Sequence, residues 1–77
     1  MRLGGENMIN VRKLKAKIVE NGKTITEMSQ VLGINPSTFY RKLKQNSFEI
    51  GEADVIVREL KLSIEEANAI FFSQIVA

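Results

Sequence analysis

The 77-residue sequence contains no cysteine and no histidine. It therefore has no disulfide, no thiol nucleophile, no imidazole base and none of the soft ligands that structural zinc requires. The neighbouring carboxylates Glu65 and Glu66 are interpreted as the acidic first turn of a helix and not as a catalytic pair. These absences exclude most classes of enzyme, and we expect no catalysis, no metal and no cofactor.

Long apolar runs are also absent. No stretch approaches the roughly 18 to 20 apolar residues that cross a bilayer, and the N-terminus lacks the apolar core of a signal peptide. We therefore expect a cytoplasmic protein without a membrane partner. Two adjacent glycines and the lack of a hydrophobic period predict a flexible arm over residues 1–8, followed by one domain over residues 9–77.

Positive and negative charges are unevenly distributed along the chain. Residues 1–45 carry nine lysines and arginines against three acidic residues, a net charge of +6, whereas residues 46–77 carry two against six, a net charge of −4. A basic first half suits a protein that turns one face toward phosphate. Two ordinary solvated surfaces could carry the same uneven charge. The charge alone therefore does not distinguish a phosphate-binding face from a solvated one, and a motif is needed.

Apolar residues recur at helical spacing in five segments, and no segment shows the alternation typical of a strand. Helix 1 is predicted to begin after the N-cap residue Asn10 and to end at Gly22. The pattern predicts an all-α fold, a compact bundle of about five helices. Predicted core positions of helices 1, 4 and 5 are Val11, Leu14, Ile18, Ala53, Ile56, Val57, Leu60, Ile64, Ala67 and Phe71.

The second half of the chain is predicted to form helices 4 and 5. Phe48 and Ile50 precede the apolar stripe of helix 4 and are interpreted as core anchors. Ser63 and Glu66 form a capping box, in which each side chain can bond the other residue's free amide. Helix 5 is therefore expected to begin there and to run to about residue 74.

Helices 2 and 3 are separated by a very short turn. Thr24 and Glu27 form a capping box that opens helix 2, and residues 33–35, which include a glycine, end it. Asn35 can cap helix 3, and Pro36 stands at its first position, where a missing amide costs nothing. A turn of this kind fixes two helices at a steep angle, so that the second helix can project into a groove.

Residues 24–45, TITEMSQVLGINPSTFYRKLKQ, combine this turn with small Ser29 at the position where the two helices cross. The inward positions are Ile25, Met28, Leu32, Ile34 and Phe39. In this pattern the segment resembles the helix-turn-helix of phage repressor and Cro proteins, the Xre-like family of bacterial and phage regulators. The resemblance implies a lambda-repressor-like fold and a transcriptional regulator, such as a repressor, that binds double-stranded DNA through helix 3 in the major groove.

Candidate DNA contacts follow from the outward positions of helix 3 and from the resemblance. Arg41 is the leading candidate because its guanidinium can pair bidentately with guanine. The alternatives are a solvated charge for Arg41, reinforcement of the helix N-terminus by Ser37, and packing on helix 2 by Tyr40. The lysines of helix 1 are interpreted as a solvated face. Base reading is expected from Ser37, Thr38, Tyr40 and Arg41, and phosphate contact from Lys23, Thr24, Asn35, Lys42 and Lys44.

The C-terminal helix has more apolar residues than one small core needs. We expect the excess, Ile70, Phe72, Ile75 and Val76, to form the interface of a homodimer that binds a near-palindromic operator. A protein-interaction module on the same fold, such as an adaptor or an antitoxin-like partner, remains the alternative. No small-molecule ligand is expected, because the chain has no sensor domain.

Overall fold

The computed structural model describes residues 9–72, of which Phe72 is described in its backbone only. This part contains no strand, which agrees with the predicted all-α fold of five helices. The helices are α1 (Val11–Glu20), α2 (Ile25–Leu32), α3 (Pro36–Gln45), α4 (Ile50–Glu59) and α5 (Ile64–Ala67), and α5 continues as a π-helical turn, Asn68–Phe72.

Local hydrogen bonds set the helix ends where the sequence predicts them. The Asn10 side chain accepts a hydrogen bond from the Lys13 amide at 3.1 Å and caps α1. At α2, the Glu27 amide donates to the Thr24 hydroxyl at 3.1 Å, and the Thr24 amide donates to the Glu27 carboxylate at 2.8 Å. The corresponding bonds at α5 join Ser63 and Glu66. Both predicted capping boxes are therefore confirmed.

The core lies between α2, which contacts both α3 and α4, and α1, which contacts the π-helical turn. Phe39 is fully buried and meets the ring of Phe48 edge to face, with 5.1 Å between the ring centroids. Ser29 is also fully buried, and its hydroxyl donates to the Ile25 carbonyl at 2.6 Å, which confirms it as the small residue of the packed side of α2. The buried apolar side chains are Ile9, Leu14, Ile18, Met28, Phe39, Leu43, Ala53, Ile56, Leu60, Ala67, Ile70 and Phe71.

The π-helical turn carries the last core residues of the described chain. Its hydrogen bonds run from residue i to i+5, so it is wider than an α-helical turn. Ile70 and Phe71 follow Ala67 at three and four residues, on one helix face, and all three are buried. The Asn10 amide donates to the Ile70 carbonyl at 2.8 Å and joins this turn to the start of α1.

Three sequence expectations about apolar residues are wrong. Ile70 belongs to the core of the protomer and has no free surface for a dimer interface. Phe48 and Ile50 were both expected to be core anchors. Phe48 packs on Phe39, but Ile50 is 84% exposed. Ile64, expected to face inward, is 79% exposed in the first turn of α5.

Other expectations fall on the chain ends. Several of them lie outside the described residues. These are the arm expected over residues 1–8, the side chain of Phe72, the residues Ile75 and Val76, and the predicted end of helix 5. Among residues 9–72, no helix is both long enough and apolar enough to cross a membrane.

Candidate nucleic-acid interface

The turn between α2 and α3 has the predicted geometry. Gly33 ends α2 in the left-handed conformation, with φ of 73°, and the Ile34 amide donates back to the Ser29 carbonyl at 2.9 Å. Pro36 is the first residue of α3, as expected, but Asn35 makes no capping bond with its side chain. The expectation that Asn35 caps α3 is therefore wrong, and its amide group is exposed at a helix end whose first amides have no partners within the helix.

The outer face of α3 lies opposite Phe39, which is buried as predicted, and Leu43, which is buried as well. Successive residues of an α-helix are about 100° apart, so Ser37 and Arg41 fall on the side facing away from the core. Both are exposed, as is Lys44 on the neighbouring row. Among the described residues, neither Arg41 nor Lys44 takes part in an ion pair.

Gln45 extends this outer face, although it is not among the DNA contacts predicted from the sequence. The helix includes Gln45 and ends at Asn46, which adopts a left-handed conformation with φ of 57°. Asparagine accepts this conformation more readily than most residues, and its position after Gln45 was the signal for a longer helix. Arg41 and Gln45 are one helical turn apart and both exposed, so α3 presents one more polar side chain than expected.

One flank of α3 faces α1. Tyr40, 52% exposed, and Lys44 line a groove together with Val11 and Lys15 of α1. The groove continues past Tyr40 toward the start of α2, where Lys15, Val19 and Thr24 line it. Lys15 therefore lies beside α3. This position was not predicted, because the lysines of helix 1 are interpreted from the sequence as a solvated face.

The opposite flank of α3 faces the start of α4, where the charges are already paired. The Lys42 ammonium lies 3.1 Å from a carboxylate oxygen of Glu52, and the Lys42 side chain is only 14% exposed. The same oxygen accepts the Glu49 amide at 2.9 Å. Lys42 thus joins the end of α3 to the start of α4, and its contact with phosphate stays a prediction for a lysine that Glu52 already engages. Thr38, on the same side of the helix, is half-buried.

The start of α2 carries two further candidates. Thr24 is exposed, and its hydroxyl already accepts the Glu27 amide as the helix cap. The Lys23 ammonium lies 3.3 Å from Glu59 of α4, with about a third of its side chain exposed. Both residues are therefore held within the fold. Among the lysines proposed for phosphate contact, Lys44 is the one without an ion pair in the part of the chain that the structure describes.

The other side of α1 also carries acidic residues. The Lys17 ammonium donates to Glu66 at 2.5 Å and lies 3.2 Å from Glu20. These hydrogen bonds, first the one that Lys17 donates to Glu66 and then the one to Glu20, raise the pKa of Lys17. The hydrogen bond from Lys17, followed by that from the Ser63 amide, lowers the pKa of Glu66. This ion pair closes α1 onto α5 and leaves little positive charge on that side.

Residues 20–45 match the family model described as "Bacterial regulatory protein, Fis family". The match covers α2, the turn and α3. The segment is a DNA-binding helix-turn-helix. No curated protein and no solved structure is significantly similar to the chain. The helix-turn-helix expected from the sequence is thus supported, while the family named by the match is not the phage repressor family that the sequence resembles.

Proposed function

We propose that the protein is a transcriptional regulator that binds double-stranded DNA sequence-specifically with α3 in the major groove. The observation that carries the proposal is the position of Arg41. It lies on the outer face of α3, exposed and without an ion pair in the described part of the chain, within the segment that matches a family of regulatory proteins. An arginine in this position is free to pair with a base.

Each candidate contact has a distinct chemical role in this proposal. Arg41 pairs with O6 and N7 of a guanine, and Ser37 in the first turn of α3 contacts a neighbouring base. Tyr40 contacts a thymine methyl or a phosphate at the edge of the groove, and half-buried Thr38 has a smaller part. Lys44 contacts phosphate and adds affinity that does not depend on sequence.

Contacts from both ends of the turn complete the protein side of the interface. Asn35, with its free amide group, lies beside the first amides of α3, where a phosphate oxygen finds donors and a positive dipole end. Thr24 and Lys23 offer a weaker second contact at the start of α2, because the capping box and Glu59 already engage them.

We further propose that the protein acts as a homodimer of the phage repressor type on a near-palindromic operator. The support for this is in the sequence, since three more apolar residues, Phe72, Ile75 and Val76, come after Ile70 and Phe71, which already belong to the core. Two recognition helices related by a two-fold axis would meet successive major grooves about 34 to 36 Å apart, or about ten base pairs.

A protein-interaction module on the same fold is the second candidate. It is favoured by two large apolar side chains, Ile50 and Ile64, that are exposed in the acidic half of the chain. Such residues on a small protein can mark a surface for another protein.

Binding to duplex DNA at two salt concentrations separates the two candidates. A gel shift with mixed genomic fragments should show a complex that weakens steeply as salt increases, because phosphate contacts release counterions. Selection from a random pool of duplexes should then enrich one motif, and Arg41→Ala should blur it. A protein that gives no shift at low salt would favour the interaction module.

A further inference from the structure

We propose that the groove between α1 and α3, which we call the α1–α3 groove, binds the sugar-phosphate backbone of one DNA strand and that Lys15 contacts a phosphate there. The inference rests on the proposed function and extends the interface to a helix outside the helix-turn-helix. The groove is lined by Val11, Lys15, Val19, Thr24, Tyr40, Leu43 and Lys44, together with Ile18, Lys23 and Ile25 at the end near α2.

The shape of the groove fits a nucleic-acid strand. Its floor is largely apolar, from Val11 and Leu43, and can pack against deoxyribose, while Lys15 and Lys44 stand on it from opposite helices. The part of α1 between Val11 and Val19 is about 12 Å long at 1.5 Å per residue. The rise along the duplex axis is about 3.4 Å per nucleotide of one strand, so this length can accommodate more than one phosphate.

The charges around α1 distinguish the two sides of the helix. No carboxylate lines the α1–α3 groove among the described residues, although Glu59 pairs with Lys23 near one end. On the other side, the cleft between α1 and the π-helical turn is lined by Glu20 and Glu66 as well as by Lys13 and Lys17, so its charges balance. An anionic strand is therefore attracted to the side of Lys15, whereas the opposite cleft offers it no net positive charge.

The position of the groove relative to α3 matches the path of a strand that borders the major groove. Tyr40 and Lys44 lie between two sides of α3. One is the outer face, which carries Arg41, and the other is the flank that meets α1. When the outer face reads bases, the adjacent backbone runs along this edge. The Tyr40 hydroxyl can donate to a phosphate from there, and Lys15 reaches the same strand from α1.

Lys15 and Lys13 provide a matched pair for the test. Both are exposed lysines of α1 two residues apart, but Lys13 lines the opposite cleft with Glu20 and Glu66. We would measure the affinity of Lys15→Gln and Lys13→Gln for a labelled mixed-sequence DNA duplex by fluorescence anisotropy over a range of salt concentrations. The loss of one phosphate contact lowers the slope of log K against log salt by about 0.9.

We expect Lys15→Gln to make this slope less steep by about 0.9 and Lys13→Gln to leave it unchanged. Circular dichroism should show that both variants are folded. Equal slopes for the two variants would overturn the inference while leaving the proposed function intact. If the unsubstituted protein does not bind the duplex at low salt, the proposed function fails and the inference fails with it.

Discussion

Arg41 and Lys44 are neighbours on the exposed side of α3 but should affect DNA binding differently. Arg41→Ala should remove the preference for one base pair at a cost of about 1 to 3 kcal/mol, because it deletes a bidentate contact. Lys44→Ala should weaken binding to all sequences alike. Competition between a selected site and its single-base variants measures both effects.

Arg41→Lys is the control for charge. It keeps the positive charge but not the planar fork, so it should lose the base preference and retain the salt dependence of the unsubstituted protein. If Arg41→Ala and Lys44→Ala weaken every site equally, the assignment of one as base reader and the other as phosphate contact is wrong.

The ion pair of Lys17 with Glu66 should make stability depend on pH. Because the folded state lowers the pKa of Glu66, its contribution is present above the ordinary carboxyl pKa of 4.5 and is lost as the pH falls through the folded value. Lys17, whose pKa is raised, contributes below its ordinary value of 10.5 and loses this contribution as the pH rises through the folded value.

Glu66→Gln should therefore lower the free energy of unfolding at neutral pH and flatten its fall in acid. The side-chain carbonyl oxygen of glutamine can still accept the hydrogen bond from the Ser63 backbone N–H in the capping box. The variant therefore tests mainly the loss of the charge. Glu65→Gln, in the same helical turn, is the matched control. Urea unfolding at neutral and acid pH measures the difference, and identical pH profiles for the two variants would contradict a role for this ion pair.

At the scale of elements, Phe39 joins the recognition helix to the rest of the core. Phe39→Ala should cost about 3 to 5 kcal/mol, which is comparable to the whole stability of a small domain. The loss should be large because the ring is fully buried and packs on Phe48. Thermal melting followed by circular dichroism measures it, with exposed Gln45→Ala as the control on the same helix. A cooperative melt with little change in midpoint would show that the phase of α3 is wrong.

Helix ends and the helix-turn-helix were predictable because their signals are local. A capping box such as that of Thr24 and Glu27 needs only residues within one turn, and the left-handed residue at Gly33 is fixed by chain geometry. The inward phase of Phe39 likewise follows from the 3.6-residue period. The fold class and the outer face of α3 could therefore be predicted from the sequence.

The features that the sequence does not reveal depend on how the helices pack. Lys42 is as basic as Lys44 in the sequence, but the start of α4 places Glu52 beside it. Lys15 similarly became part of the candidate site only because α1 lies next to α3. For Ile70, the cause is the packing of α1 on the π-helical turn, where Ile70 is buried together with Ala67 and Phe71 on one helix face.

At the scale of the whole molecule, charge distinguishes the proposed DNA-binding side from the rest. The basic half of the chain carries α3 and the α1–α3 groove, and the acidic half carries α4 and α5. A partner that approaches the acidic half avoids competition with DNA. In the proposed dimer, the C-terminal segment occupies that position and sets affinity by holding two recognition helices together, without itself contacting DNA.

The last prediction tests this dimer through its apolar residues. Because Ile70 and Phe71 are already buried, Phe72→Ser combined with Val76→Ser should leave the core intact and yield a folded monomer that binds one half-site weakly. Ile64→Ser is the control, since Ile64 is exposed at the start of the same helix. Sedimentation over a range of concentrations, and binding to duplexes with one or two half-sites about ten base pairs apart, measure the outcome. An unsubstituted protein that is monomeric at high micromolar concentration would defeat the proposal, and dissociation by Ile64→Ser alone would move the interface to the beginning of α5.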